Sequence, residues 1–285
     1  MGVGAGRTDR NVDARVVEAF GDEWARFTNA DLDAAELGAM FEDYVSIFPW
    51  SELSDGAVGF DAGCGSGRWA AFFAPRVGHL HCIDASARAL EVARVGLAEH
   101  GNVSFRHEDL SSIGLAEGSC DFGYSLGVLH HIPDTADALR ACVRRLRPGA
   151  PFLVYLYYDL EGAGRVRRSL LLMVTSVRTV VARLPRVLRH LVADVLAMSV
   201  YWPLARLARV VERLGRDPVR LPLFQYRNRS FQVMRNDALD RFGTRLEKRF
   251  SRQEVLQLLE DAGLVDVEFS NGPPWWVAVG RRAAS

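Results

Sequence analysis

Three glycines at alternate positions are the first residues in the chain that could do chemistry. Gly63, Gly65 and Gly67 follow a short apolar run, and a helix-forming run comes directly after them. Because glycine has no Cβ, the backbone of such a turn can approach a ligand closely at the N-terminus of the helix. A dinucleotide fingerprint would need another glycine at position 68, which is Arg68 here. The turn therefore indicates a ligand other than a dinucleotide, and a turn that binds nothing is the alternative.

Two acidic residues follow at the ends of the next two predicted strands. Asp84 comes about 20 positions after the glycine turn, where a carboxylate can accept the hydroxyls of a ribose. An alternative role is a helix N-cap, since Asp84 and Ser86 both precede a predicted helix over 87–100. Asp109 follows the third predicted strand, and Glu108 competes with it for any role there.

Two adjacent histidines could supply a base. His130 and His131 follow the fourth predicted strand, over 121–126, and a neutral imidazole accepts a proton near pH 7. Adjacent side chains face different directions, so the pair does not form a metal-ligand set, and no metal is predicted. The alternative is that one of the two packs and supports the neighbouring loop. The sequence favours His130 over His131 as the base.

The elements that must position these residues alternate between strand and helix. Strands are predicted over 58–61, 79–83, 103–107, 121–126, 152–158, 264–269 and 275–279, and a short turn is predicted at 236–242. This alternation is typical of a doubly wound α/β fold, in which ligands bind at the carboxyl ends of parallel strands. The acidic and histidine residues all fall at such ends.

The series of motifs resembles the class I S-adenosylmethionine-dependent methyltransferases that act on small molecules. Asp61 with its three glycines resembles motif I, and VLHHIPD at 128–134 resembles motif IV. The segment LRPGAPFLV at 146–154 resembles the family's entry into strand five, so the likeness covers 57–158. It implies a Rossmann-like seven-stranded sheet of order 3-2-1-4-5-7-6 with strand 7 antiparallel, N-terminal helices and a helical lid insertion. It also implies S-adenosyl-L-methionine as cofactor and S-adenosyl-L-homocysteine as product.

The resemblance assigns roles residue by residue. The positions that match the family's cofactor site are Asp61, Gly63, Gly65, Gly67, Asp84, Asp109, Leu110 and Gly127. Asp84 would bind the ribose and Asp109 the adenine amine, while His130 or His131 would be catalytic. The candidate substrate residues are Trp24, Tyr44, Tyr155, Tyr157, Tyr226, Arg227 and Trp275, with core packing as the alternative for the first two. If the acceptor is an alkene carbon, no base is used. The aromatic faces of Tyr155, Tyr157 or Trp275 would then stabilise the cation that forms on the acceptor.

An arginine-rich stretch interrupts the pattern after strand five. Residues 160–229 hold fourteen arginines against four acidic residues, a local charge of +10. Three interpretations stay open: a solvated helical cap, a cap that binds an anionic substrate, and an amphipathic patch on anionic lipid. No uncharged apolar run reaches about 18 residues, so no membrane span is predicted. The predicted domains are N-terminal helices over the cofactor site (1–50), a methyltransferase core (51–159 and 237–285) and a substrate cap (160–236).

Net charge and cysteine content bear on the partners of the protein and on its cellular compartment. The 285 residues carry a net charge of zero, so no nucleic-acid partner is expected. The four cysteines form no C-x-x-C pair and the first residues have no apolar core, which predicts reduced thiols, no secretory signal and a cytoplasmic protein. The resemblance implies in-line SN2 methyl transfer to a small molecule: a secondary metabolite of natural-product biosynthesis, a saccharide or an anionic isoprenoid-like compound. The alternatives are an RNA methyltransferase and a non-catalytic regulatory protein that binds the cofactor. A weak membrane-surface contact through the basic cap is also considered.

Overall fold

The structure is a computed structural model that describes residues 11–26, 33–159, 174–219 and 221–284. The chain divides into two compact units. The first unit comprises Met1–Ala25, Met40–Glu161 and Leu246–Ser285, and the second comprises Arg26–Ala39 and Gly162–Arg245. The predicted functions of the N-terminal helices and of the cap at 160–236 stay predictions, and residues 160–173 of that cap lie outside the described residues.

One seven-stranded sheet forms the centre of the first unit. Its strands are β1 (Val58–Ala62), β2 (His79–Asp84), β3 (Val103–His107), β4 (Phe122–Leu126), β5 (Pro151–Tyr155), β6 (Leu264–Phe269) and β7 (Val277–Arg282). They lie in the order β3-β2-β1-β4-β5-β7-β6, and β7 runs antiparallel to both β5 and β6. The predicted sheet order and the antiparallel last strand are therefore confirmed. The last strand begins two residues later than predicted because Trp276 has a φ of 65°, which is incompatible with extended backbone.

Ten helices are seen in the described parts of the chain. They are α1 (Ala14–Arg26), α2 (Ala34–Val45), α3 (Ala70–Phe73), α4 (Ala87–Gly96), α5 (Thr135–Arg145), α6 (174–181), α7 (Arg186–Leu196), α8 (Trp202–Arg213), α9 (Phe231–Gly243) and α10 (Arg252–Asp261). The turn predicted at 236–242 was wrong, because those residues lie inside α9. Helix α10 begins with a capping box: the hydroxyl of Ser251 accepts from the backbone of Glu254, whose carboxylate accepts from the backbone of Ser251.

Aromatic side chains fill one face of the sheet in the first unit. Phe73 from α3 stacks on Tyr124 of β4 with ring centroids 3.9 Å apart, and both are fully buried. Phe41 of α2 meets Phe73 edge-on at 5.3 Å. Burial of such large rings supplies much of the free energy that holds the helices to the sheet. This face therefore fixes where the carboxyl ends of β1 and β4 lie.

A continuous helix dominates the second unit. Helices α7 and α8 are joined by a π turn at Ala197–Tyr201, and α7 packs against α9. Asp194 of α7 pairs with Arg26 at 2.6 Å and with Arg235 of α9 at 3.0 Å. By length and composition alone, the 28 residues Arg186–Arg213 are sufficient to cross a membrane. The sequence did not predict this span, because Arg189, Asp194 and Arg206 interrupt the apolar part of the helix.

Candidate active site

The glycine turn after β1 has the backbone that only glycine adopts easily. Gly63, Gly65 and Gly67 have φ values of 87°, 54° and 76°. A Cβ on Gly63 would lie 2.4 Å from a methyl carbon of Val128, which follows β4. A Cβ on Gly67 would lie 2.8 Å from the side chain of Leu97. Two of the glycines are thus required for packing the turn against neighbouring elements.

The indole of Trp24 lies over the middle glycine of the three, Gly65. Its Nε1 would be 2.8 Å from a Cβ at that position, so the turn and α1 approach each other closely. The guanidinium of Arg68 lies 5.3 Å from the ring centroid of Trp24 and 4.4 Å from that of Trp69. The buried Nε of Arg68 has no hydrogen-bond partner among the described residues. This position of Arg68 was not predicted from the sequence, where the residue indicates only a side chain too bulky for a dinucleotide site.

Asp84 joins the tip of β2 to the glycine turn. One carboxylate oxygen accepts from the backbone N of Gly65 at 2.9 Å, and the other accepts from the backbone N of Ser86 at 2.8 Å. The N-cap of α4 is Ser86, whose hydroxyl accepts from Ala89, so the N-cap role weighed for Asp84 belongs to Ser86. Burial raises the pKa of Asp84. Each of its oxygens keeps a lone pair beyond these bonds, which fits the two hydroxyls of a ribose.

Asp109, rather than Glu108, has acceptor capacity at the end of β3. Both oxygens of Glu108 are engaged: one accepts from Arg106 at 3.0 Å and the other from the backbone N of Gly114 at 2.9 Å. Among the described residues, the side chain of Asp109 accepts a single hydrogen bond, from the backbone N of Ser111 at 3.0 Å. Leu110 beside it is buried in the core. The geometry favours Asp109 for a polar contact and Leu110 for an apolar wall.

Asp61 and Gly127 occupy the two strand ends next to the turn. Asp61 lies within β1 and is 2% exposed, and burial raises its pKa well above the usual range. The hydroxyl of Tyr124 faces this carboxyl. Gly127, after β4, has a φ of 80°, and a Cβ there would meet only Tyr155, at 3.9 Å. Gly127 is therefore a point where the backbone borders open space.

The two histidines have different surroundings. The ring of His131 is held by other residues. Its Nδ1 donates to the carbonyl of Leu246 at 2.7 Å, and its ring centroid lies 4.9 Å from that of Phe20. His130 is fully buried, and neither of its ring nitrogens has a hydrogen-bond partner in the described part of the chain. Burial, and then the charges of His131 and Arg249, hold the pKa of His130 well below its usual range. His130 is thus a neutral imidazole with both nitrogens available at neutral pH.

A row of ring contacts leads from the glycine turn to His130. We call it the aromatic wall; its members are Trp69, Tyr44, Tyr155, Tyr157 and His130. Successive ring centroids are 5.1, 5.2, 5.7 and 3.9 Å apart, and the last contact is a stack of His130 on Tyr157. The wall follows the carboxyl ends of β1, β4 and β5, so three of the predicted substrate residues come together with the predicted base.

Other contacts are seen at the remaining predicted substrate residues or their neighbours. No ring contact joins Trp275 to the aromatic wall in the described residues; its neighbour Trp276 instead donates Nε1 to the carbonyl of Phe250 at 2.7 Å. Tyr226 and Arg227 belong to the second unit, where Tyr226 is buried 5.5 Å from the ring of Tyr201. Arg227 pairs there with Glu212 at 2.8 Å. Within the described residues, no group of three or more His, Cys, Asp or Glu side chains could hold a metal ion.

Comparison with known proteins agrees with this geometry. Residues 60–154 match a family model described as a methyltransferase domain. The chain is 33% identical over 182 residues to a ubiquinone biosynthesis O-methyltransferase of Thiobacillus denitrificans, covering 62% of this chain and 74% of that protein. It is 37% identical over 130 residues to an arsenite methyltransferase of Aquipseudomonas alcaligenes, covering 41% of this chain and 38% of that protein. The structure of a SAM-dependent methyltransferase from Methanosarcina mazei shares the fold, with a TM-score of 0.50, 15% identity and coverage of 84% of this chain and 99% of that chain.

The ligand of the glycine turn and Asp84 can now be identified. The spare lone pairs of Asp84 and the positive-φ turn beside it fit a nucleoside, and the matched family uses S-adenosyl-L-methionine as its methyl donor. The seven-stranded sheet with its antiparallel last strand is the Rossmann-like fold of these enzymes. The chain belongs to the class I S-adenosylmethionine-dependent methyltransferases.

Proposed function

We propose that the protein methylates a hydroxyl group on a small aromatic molecule. The observation that carries this proposal is His130, a buried neutral imidazole without hydrogen-bond partners among the described residues, stacked at the end of the aromatic wall. A phenol supplies both a ring that packs against aromatic side chains and a proton that a base can take. The relative from Thiobacillus denitrificans, named as an O-methyltransferase, supports a hydroxyl acceptor.

The chain's own residues divide the work. S-adenosylmethionine supplies an electrophilic methyl group when it is bound. Asp84 would bind its ribose, Asp109 its adenine, and Arg68 its carboxylate through a charge-assisted hydrogen bond. His130 would take the acceptor proton, while Tyr155 and Tyr157 orient the acceptor ring. Holding the acceptor in line with the departing group supplies the rest of the acceleration by proximity.

The acceptor class follows from the same contacts. A secondary metabolite or an isoprenoid-like compound that carries a phenol would satisfy both the base and the aromatic wall. A saccharide offers no aromatic ring to Tyr155 and Tyr157. Trivalent arsenic favours thiolate ligands, but all four cysteines are buried, and burial raises the pKa of Cys142 to about 12. The site therefore favours an oxygen acceptor on an aromatic ring.

The test is methyl transfer from labelled S-adenosylmethionine to a panel of phenols and catechols. His130→Gln should lower kcat by roughly 10²- to 10⁴-fold, the usual contribution of a general base. His131→Gln is the control, and we expect less than a ten-fold loss, because Nδ1 of His131 is engaged with the carbonyl of Leu246. The affinity for S-adenosylhomocysteine should be unchanged in both variants.

Two results would contradict the proposal. Full activity in His130→Gln would show that His130 is not the general base. Tight binding of S-adenosylhomocysteine with no phenol methylated would favour a regulatory protein that binds the cofactor, and methylation of RNA instead would favour the other alternative.

A further inference from the structure

The helix Arg186–Arg213 has its large apolar side chains on the outside. The residues that it buries are mostly small: Ala193, Ala197, Tyr201, Ala205 and Ala208. The exposed residues are large, and Val187 and Met198 are 77% and 65% exposed. We call these exposed residues the apolar stripe: Val187, Leu188, Leu191, Val195, Met198, Trp202, Leu207 and Val210. An amphipathic helix of a water-soluble surface shows the reverse arrangement.

The spacing of the apolar stripe makes it one continuous face over the first half of the helix. Val187, Leu191, Val195 and Met198 are separated by four, four and three residues, which is the helical repeat. Contiguous exposed apolar patches on proteins mark contact with another molecule or with a membrane. The apolar stripe therefore calls for a partner, because no described residue covers it.

Positive charge lies at both ends of the apolar stripe. Arg183 and Arg186 are exposed before its first residue, and Arg213 and Arg216 are exposed after its last. Two acidic residues of the helix are neutralised within the second unit, since Asp194 pairs with Arg26 and Arg235, and Glu212 pairs with Arg227. The exposed charges nearest the two ends of the apolar stripe are thus those of arginines.

Trp202 is an aromatic residue at the edge of the apolar stripe, and its side chain is 39% exposed. The guanidinium of Arg206 lies 4.0 Å from its ring centroid and donates to the carbonyl of Arg229 at 2.6 Å, which holds the indole in place. Tryptophan is enriched at the level of lipid headgroups. Apolar residues in the middle with tryptophan and arginine around them are the pattern of an interfacial helix.

We infer that the apolar stripe docks the second unit onto an anionic lipid surface, with the helix lying in the plane of the interface. A second copy of the chain is a poorer occupant, because a symmetric interface would bring the exposed arginines at the ends of the apolar stripe close to those of the other copy. A transmembrane orientation is also disfavoured. The inner face of the helix carries Asp194, whose ion pairs with Arg26 and Arg235 would have to enter hydrocarbon.

The test is co-sedimentation of the full-length protein with two kinds of vesicle, phosphatidylcholine alone and an equimolar mixture with phosphatidylglycerol. We expect partitioning to the anionic vesicles to exceed that to the neutral ones by roughly ten-fold or more, and to weaken in high salt. The double variant Leu191→Glu with Met198→Glu should lose roughly ten-fold or more of this partitioning. Replacing Arg186 and Arg213 by Gln should cost roughly five-fold each on anionic vesicles.

A matched control is available in the first unit. Val95 of α4 is 79% exposed and lies outside the apolar stripe, so Val95→Glu should leave lipid binding unchanged. The inference is overturned if the wild-type protein binds neither kind of vesicle, if the double variant binds as well as the wild type while its circular dichroism and Tm are unchanged, or if Val95→Glu loses as much binding as the double variant. A wild-type dimer by light scattering that the double variant dissociates would identify a second copy as the occupant. The assay contains neither methyl donor nor acceptor, so its failure would leave the proposed methyl transfer intact.

Discussion

The sheet of the first unit and the long helix of the second unit bury opposite kinds of residue. Around β1 and β4 the largest side chains, such as Phe73 and Tyr124, are fully buried. In the helix Arg186–Arg213 the buried residues are chiefly alanines, and the exposed ones are leucine, valine and methionine. The large apolar side chains of the first unit are thus used for its own core. Those of the long helix remain on the surface, where another molecule can contact them.

The largest expected effect tests this contrast directly. Phe73→Ala should lower the free energy of unfolding by about 3–5 kcal/mol, because it leaves a cavity against Tyr124. Leu191→Ala should change it by less than about 0.5 kcal/mol, because that side chain is 57% exposed. Chemical denaturation of both variants measures the two values. A loss from Leu191→Ala as large as that from Phe73→Ala would show that the stripe packs within the protein.

The next prediction separates backbone strain from packing at the cofactor turn. Gly63→Ala and Gly149→Ala both place a side chain at positive φ, which costs about 1–2 kcal/mol each. At Gly63 the new methyl would also collide with Val128, adding about 1–3 kcal/mol, whereas nothing lies within 4 Å at Gly149. Thermal unfolding should therefore rank Gly63→Ala well below Gly149→Ala. Equal losses of stability in the two variants would mean that Val128 moves aside at no cost in free energy.

An intermediate effect concerns Arg68, whose role the sequence did not reveal. Arg68→Met removes the guanidinium between Trp24 and Trp69 while keeping an apolar side chain of similar length. If Arg68 binds the carboxylate of the methyl donor, calorimetry should show roughly ten-fold weaker binding of S-adenosylhomocysteine, about 1.4 kcal/mol. An unchanged affinity for S-adenosylhomocysteine would show that Arg68 only packs against the two tryptophans and does not bind the carboxylate.

The smallest effect is a pH dependence confined to the first unit. Burial lowers the pKa of His81 from 6.5 to about 4, so between these values the unfolded chain binds a proton that the folded chain does not. The contribution of His81 to stability is therefore present above pH 6.5 and is lost as the pH falls toward 4. His81→Gln should flatten the stability profile of the wild type in that window. Parallel profiles for the two proteins would contradict the shift.

The sequence predicted the first unit much better than the second. In the first unit, glycine turns and acidic strand ends carry local signals, and β3 and β6 have the predicted bounds. The start of β7 was predicted two residues too early, because the positive φ at Trp276 cannot be read from periodicity.

The second unit shows why periodicity alone is insufficient. An apolar stripe on a helix normally marks the buried face, but here the alanines form a second apolar stripe, and they are the ones buried. Which of two apolar faces turns inward depends on tertiary packing, in this case against α9. The same limit applies to Arg68, whose contacts depend on α1 approaching the turn.

The central claim is that the methyl donor binds between the glycine turn and the carboxylate of Asp84. Isothermal titration of S-adenosylhomocysteine into the wild type and into Asp84→Asn tests it most directly. We predict one binding site per chain in the wild type and a loss of about 1–3 kcal/mol, roughly five- to 150-fold, in the variant. No binding by the wild-type protein, or equal affinity in a correctly folded Asp84→Asn variant, would contradict the account.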